Sequence, residues 1–271
     1  MAIRAAAAAI AHDGRRALIV FVDSHCHLDA PEFDADRDTV LARARAAGVA
    51  AQVIPAIALA GFGKLRDLCA AHAELHPAYG LHPMYLAEHR PGHLGALRDW
   101  LERERPVAVG ECGLDFFVEG LDPDEQRRYF SGQLELAREF GLPVIVHARR
   151  AVDEVVATIR RIGGLRGVVH SFSGSAEQAR QLWNLDFMIG LGGPVTYERA
   201  NKLRGIVATM PLEFLLLETD APDQPLATHR GERNEPAYLG EVAAVIAHLR
   251  GATVESVAAT TAHNARRLFG W

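Results

Sequence analysis

Two histidines one residue apart, His25 and His27, are the first residues of the chain whose spacing suits chemistry. In an extended segment the side chains of residues i and i+2 share a face, so both imidazoles can reach one cation. Cys26 between them then points the other way and packs. Such a pair alone is a weak signal. It gains weight from Glu111, His147, His170 and Asp220, each at the end of a short apolar run. Four imidazoles and two carboxylates suit divalent cations of borderline hardness, such as Zn²⁺, Mn²⁺ or Co²⁺; Mg²⁺ prefers a richer set of oxygens. Six donors exceed what one tetrahedral ion uses, so two cations are expected. A cation held there brings the pKa of a water towards neutrality and makes hydroxide available as a nucleophile. Asp220 is placed to orient that water or take its proton. The plainer reading of Asp220 is a helix cap after a strand.

Other polar residues fall near the same run ends. His82 reads as a substrate or transition-state contact, or else as a capping or core histidine. Arg149, two residues past His147, can fork onto a phosphate. Arg230 and Asn234, with Arg233, can do the same from the loop after the last strand. The alternatives are a helix N-cap for Asn234, with Glu235 and Pro236 in the first turn, and a solvated surface charge for Arg233. Glu218 and Asp23 share faces with the candidate ligands and can support them through hydrogen bonds. A loop anchor explains Asp115 and Phe116 as well as catalysis does.

What must position these residues is a repeating pattern. Eight apolar runs, Leu18–Asp23, Ala51–Ile57, His76–His82, Val107–Glu111, Pro143–His147, Gly167–Ser171, Phe187–Gly193 and Phe214–Asp220, alternate with stretches of helical periodicity. Near-continuous runs such as P-V-I-V-H and F-L-L-L-E read as strands buried on both faces, hence parallel. Eight strands alternating with helices predict an α/β fold, a (β/α)8 TIM barrel with its site at the carboxyl ends of the strands. A doubly wound open sheet is the alternative, weakened because no G-x-G-x-x-G follows the first strand. Two helices, Glu235–Leu249 and Val254–Leu268, are expected to end the chain. No linker divides it, so residues 18–271 read as one domain. The alanine-rich residues 1–17 read as an extension outside the fold and lack the compact apolar core of a signal peptide.

Composition agrees. The chain has 271 residues, 49% of them hydrophobic, enough for one large barrel without disulfide staples. A net charge of −5 excludes a globally basic nucleic-acid binder, though not a local grip on phosphate. The three cysteines cannot all pair and read as buried thiols in a reducing compartment. No apolar run approaches the roughly 18 residues of a membrane helix. A cytoplasmic enzyme with no membrane partner and no obligate protein partner is expected.

The ordered motifs carry a resemblance. They are D-S-H-C-H-L-D (Asp23–Asp29), G-L-H-P (Gly80–Pro83), G-E-C-G-L-D-F (Gly110–Phe116), P-V-I-V-H-A-R (Pro143–Arg149), H-S-F-S-G (His170–Gly174), L-L-E-T-D-A-P (Leu216–Pro222), R-G-E-R-N-E-P (Arg230–Pro236) and N-A-R-R-L-F (Asn264–Phe269). From Phe21 onward the chain resembles the TatD family of metal-dependent deoxyribonucleases, amidohydrolase-like TIM barrels. The resemblance implies one metal on His25, His27, Glu111 and Asp220, and a second on Glu111, His147 and His170, with Glu111 bridging. The ions would be zinc, manganese or magnesium. Many binuclear amidohydrolases bridge their metals with a carbamylated lysine on a strand end; Lys64 and Lys202, the only lysines, lie in helical stretches. The implied activity is exonuclease-type hydrolysis of DNA or another phosphodiester. The alternative is cleavage of a carboxylic ester or amide, such as a D-aminoacyl-tRNA ester. A metal-binding barrel without activity would leave Asp220, His82 and Arg149 without purpose. Departures from the family pattern are small: Met84 follows His82-Pro83, and A-R-R replaces S-R after His147.

Overall fold

The computed structural model describes residues 19–271. The proposed extension, 1–17, lies outside the described residues. Eight strands, β1 (Phe21–Asp23), β2 (Val49–Pro55), β3 (Leu75–Tyr79), β4 (Ala108–Asp115), β5 (Val144–Arg149), β6 (Gly167–Val169), β7 (Phe187–Leu191) and β8 (Leu215–Leu217), form one sheet in chain order. Each pairs in parallel with the next. Helices α1 (Arg37–Ala46), α2 (Phe62–Ala71), α3 (His93–Glu104), α4 (Pro123–Phe140), α5 (Val152–Ile162), α6 (Ala176–Trp183) and α7 (Asn201–Thr209) make the crossovers, and α8 (Leu239–Arg250) and α9 (Val254–Phe269) follow. The sheet curls back on itself: Ser24 N–H donates to the Leu217 carbonyl at 2.9 Å. Asp23 accepts from Thr219 N–H at 3.0 Å and Thr219 Oγ1 at 2.6 Å. This is the (β/α)8 barrel that the pattern predicts.

Side-chain alternation divides the apolar residues into two sets. Val22, Val53, Ala78, Ala108, Ile145, Val168, Met188 and Leu216 form one cluster, together with Ala262, Ala265, Leu268 and Phe269 of α9. These strand residues fill the barrel, and α9 plugs its amino end, where Trp271 stacks on His76 at 4.1 Å. Ile54, Tyr79, Val146, Val169 and Ile189 belong to the larger cluster that meets the surrounding helices. All three cysteines are buried free thiols. No single helix among the described residues is long and apolar enough to cross a membrane.

Several boundaries differ from the sequence expectation. Strands β6 and β8 are three residues long, so His170 and Asp220 stand just beyond their strands. Strand β4 instead runs to Asp115, and its register against β5 shifts between Val109 and Cys112. Glu111 therefore sits inside the strand. The expected helix from Glu235 begins only at Leu239, after one 3-10 turn, Pro236–Tyr238. Asn234 causes the delay. Its fully buried amide donates to the carbonyls of Thr219, Asp223 and Gln224 and so pins this segment to the loop after β8.

Two glycines are sterically required near the barrel's carboxyl end. At Gly113, with φ +147°, a Cβ would lie 2.0 Å from the His147 carbonyl oxygen. At Gly190 it would lie 2.1 Å from Glu218 Oε2. Gly190→Ala is therefore expected to cost about 1–3 kcal/mol through overpacking. Gly205, in α7 with nothing within 4 Å of a built Cβ, should instead gain about 0.5–1 kcal/mol on Gly205→Ala. Thermal unfolding of the two variants should move in opposite directions.

Candidate metal centre

The residues at the carboxyl end converge on one carboxylate. Glu111 is 1% exposed, and its two oxygens face different neighbours. Oε2 lies 3.2 Å from His25 Nε2 and 3.5 Å from His27 Nε2. Oε1 lies 2.7 Å from His170 Nε2, 3.1 Å from His147 Nδ1 and 2.9 Å from His82 Nε2. Asp220 Oδ1 completes the first group, 3.4 Å from His25 Nε2 and 3.7 Å from His27 Nε2. The two rings of the H-x-H pair bring their Nε2 atoms to 3.1 Å. His147 Nδ1 and His170 Nε2 approach to 3.2 Å. Metal–nitrogen bonds of about 2.0–2.1 Å at tetrahedral angles put neighbouring donors about 3.3 Å apart. The observed spacings are those of ligand-shell edges, so the residues fit divalent cations. Three overlapping donor groups share the centre: His25, His27 and Asp220; His25, Glu111 and His170; and His82, Glu111 and His147.

Backbone bonds hold these donors in place. His27 N–H donates to the Ala221 carbonyl, Cys26 N–H to Val53 and Asp220 N–H to His25, so β1, β2 and β8 are tied together at the H-x-H segment. Asp220 itself adopts φ +57°, a left-handed conformation that aspartate tolerates better than most residues. Its Oδ2 accepts from the Gln224 amide, and Gln224 Oε1 accepts from Ser171 Oγ at 2.8 Å.

Hydrogen bonds also select the tautomers. His147 directs Nε2 at Asp115 Oδ2, 2.9 Å away, which leaves the Nδ1 lone pair facing Glu111 and His170. Asp115 Oδ1 accepts from the N–H groups of Phe117 and Val118, so this residue both anchors its loop and orients a candidate ligand. His82 is the reverse case. Its Nδ1 accepts from Met84 N–H at 3.1 Å, so in the neutral ring Nε2 carries the proton and donates to Glu111 Oε1. That tautomer makes His82 a hydrogen-bond donor in the site and leaves it no lone pair for a metal, although it lies within ligand reach. Glu218 lies beside His170, with Oε1 3.9 Å from Nδ1, and accepts from Ser171 N–H.

The electrostatics follow from this crowding. Burial alone would raise the pKa of Glu111, but His170, His82 and His25 outweigh it and hold the carboxyl well below its ordinary range. Burial pushes His25 well down, helped by His170, and pushes His82 down to about 4. Burial opposes protonation of His27 too, yet Glu111 and Asp220 carry it up to about 9. Against the same penalty, Glu111, Asp220 and Glu218 lift His170 to about 10. Burial also raises Glu218, to about 8.

The other expected contacts are placed differently. Arg149 is exposed at the rim, its guanidinium 3.7 Å above the Phe117 ring, with no carboxylate partner among the described residues. Arg230 is exposed and makes no described contact with the cluster. Asn234 is fully buried and its amide is saturated by backbone carbonyls, which makes it a loop anchor instead of the expected substrate contact. Arg233 pairs with Asp36 and Glu235 and covers Phe33, so it too belongs to the scaffold. Gln224 drew no attention in the sequence; its only signal is its place four residues after Asp220.

The model of the TatD-related DNase family matches residues 22–270. The chain belongs to this family. A metal-dependent hydrolase of Escherichia coli K12, YjjV, is 41% identical over 252 residues, covering 92% of this chain and 97% of the relative. The 3'-5' ssDNA/RNA exonuclease TatD of Klebsiella pneumoniae is 36% identical over 259 residues, covering 92% and 97%. The crystal structure of E. coli YjjV, a TatD homologue, superposes with a TM-score of 0.89 at 39% identity, covering 94% of this chain and all of that one. This TatD-family protein is therefore a metal-dependent hydrolase, with histidine and carboxylate groups able to hold metal ions.

Glu111 and Asp220 beside His27, and Glu111, Asp220 and Glu218 beside His170, raise both imidazoles and favour their protonated forms at neutral pH. A cation needs their lone pairs, so metal uptake at neutral pH should release protons, and affinity should fall as pH falls. Titration calorimetry in buffers of different ionisation heat reads this directly; heats independent of buffer would count against it. Asp115→Asn should weaken metal affinity by about tenfold to a hundredfold, because His147 loses its orienting acceptor.

Proposed function

We propose that this TatD-family hydrolase cleaves phosphodiester bonds in DNA from a strand end, using two divalent ions held by His25, His27, Glu111, His147, His170 and Asp220. One observation carries the reading: the two oxygens of a single buried carboxylate face different rings, Oε2 toward His25 and His27 and Oε1 toward His147 and His170, as a bridging ligand requires. Zinc or manganese suits the nitrogen-rich set; magnesium is the third candidate. Divalent ions there supply Lewis acidity, which acidifies an attacking water and neutralises charge on the phosphoryl oxygens. The nuclease name of the Klebsiella relative supports a nucleic-acid substrate.

The chain's own groups divide the remaining work. Asp220, whose Oδ2 is held by Gln224, keeps Oδ1 turned toward His25 and His27, where it can orient the attacking water and accept its proton. His82 presents a proton on Nε2, which Met84 N–H fixes there by occupying Nδ1. With the Glu111 oxygens taken up by cations, that proton, which otherwise bonds Glu111 Oε1, can turn to a phosphoryl or leaving oxygen as negative charge develops. Arg149 sits with its guanidinium carbon 3.7 Å over the Phe117 ring and has no carboxylate partner among the described residues, so its N–H donors can fork onto a phosphate.

Glu111→Gln is expected to abolish turnover while the protein still folds, because an amide cannot supply the charge between two cations; metal content measured alongside activity checks this. Arg149→Ala should lower kcat/KM on an oligonucleotide by about tenfold to a hundredfold, on the order of 1.5–3 kcal/mol, with Arg149→Lys only partly restoring it. Unchanged kcat/KM in both variants would remove the phosphate contact. The decisive assay offers end-labelled single-stranded DNA and a D-aminoacyl-tRNA to protein reloaded with Zn²⁺, Mn²⁺ or Mg²⁺. Cleavage of the tRNA ester alone would replace this reading.

A further inference from the structure

The rim around the metal centre is not uniform. The exposed large apolar side chains among the described residues are Met84, Tyr85 and Phe117. All three stand on the neighbouring loops after β3 and β4. Phe117 is 44% exposed, and its N–H is bonded to Asp115, the residue that orients His147. Its backbone is thus tied to the residue that orients His147, and its ring serves as a platform for two arginines. Arg149 rests on it at 3.7 Å and Arg150 at 4.7 Å. Such contacts limit where a guanidinium can swing and leave its donors free.

Arg150 also lines an open groove of about 490 Å³ between the loops after β5 and β6, with Ser173, Gln178 and Lys202. Two carboxylates border this groove, but both are engaged: Asp153 accepts from the Gln178 amide at 2.7 Å and Glu154 from Arg127 at 2.5 Å. Arg150 and Lys202 have no carboxylate partner among the described residues. The rim beside β1 contrasts with this. There Arg37 and Lys64 are tied to Asp34, and Arg43 and Arg233 to Asp36 and Glu235. In a chain of net charge −5, unpaired cations in line with an exposed aromatic ring at the mouth of the site form a directed anionic path.

We infer that this sector is a strand-binding path: a single-stranded polynucleotide with one phosphate at the metal centre continues over Phe117 and into the Arg150–Lys202 groove. The substrate identity rests on the phosphodiesterase reading; the path itself is a binding claim. The exposed part of the ring and the guanidinium planes resting on it offer stacking surface to an unpaired base, which a duplex keeps stacked within itself. The cations beside it meet the successive backbone phosphates. The path contributes affinity for long substrates and no chemistry.

The test uses metal-loaded protein and a fluorescein-labelled phosphorothioate oligothymidylate twelve-mer, with binding read by anisotropy as salt is varied. Phe117→Ala and the pair Arg150→Ala/Lys202→Ala should each weaken binding by about tenfold, with Phe117→Tyr close to wild type. Removing two cations should lower the salt slope by about one to two. The gain in affinity from a dinucleotide to the twelve-mer should flatten in both variants. Wild-type affinity and salt slope in both variants would overturn the path. So would equal binding of a duplex or of polyglutamate, which would mark an unselective anion surface, and so would no binding to wild type. Hydrolysis of unmodified oligomers is measured in parallel. Weakened binding in the variants without any hydrolysis by wild type would sustain the path and end the phosphodiesterase reading. Hydrolysis with unaltered binding would do the opposite.

Discussion

A carboxylate buried among imidazoles is the constraint on which the rest of this structure depends. An ionised Glu111 in the barrel interior is expensive unless positive charge surrounds it. His25, His27, His82, His147 and His170 all bring a ring nitrogen within 3.5 Å of it. Those rings come from loops after β1, β3 and β6 and from β5 itself, so no local segment can assemble them. Closure of the barrel does so, and the Asp23–Thr219 bonds between β1 and the loop after β8 bring the H-x-H pair against Asp220.

The polar groups behind the candidate ligands act through geometry. Asp115 holds the proton of His147 on Nε2, and the Met84 amide holds that of His82 on the same atom, with opposite results. One ring is left with a lone pair turned inward, the other with a proton. Two histidines that face the same oxygen of Glu111 thus take different parts in the same site. Glycine 190 supports this arrangement from beneath, since any side chain there would occupy the space of Glu218.

The α/β barrel was legible in the chain, and so was the set of imidazoles and carboxylates that meets at its carboxyl end. Strands buried on two faces need continuous apolar residues, and ligands at strand ends stand out because a polar residue breaks such a run. The positions of Glu111 and Asp115 within β4 were less legible, because the irregular register near Gly110 has no residue pattern of its own. Asn234 was readable only as polar and in a loop. Its saturation by three carbonyls depends on where the loop after β8 returns, 10 to 15 residues away in sequence.

By itself, then, the sequence determined the alternation of strands and helices and the donor types at the strand ends, since hydrophobic periodicity and metal-ligand chemistry are properties of residues and their spacing. Tertiary structure decided which donors share an oxygen of Glu111, which tautomer each histidine adopts, and which arginines keep free donors. Arg149 and Arg233 look alike in the chain. One rests on an exposed ring without a carboxylate, while the other is clasped by Asp36 and Glu235. The difference lies in partners brought from distant segments, because hydrogen bonds and ion pairs act over a few ångströms of space and carry no trace in local sequence.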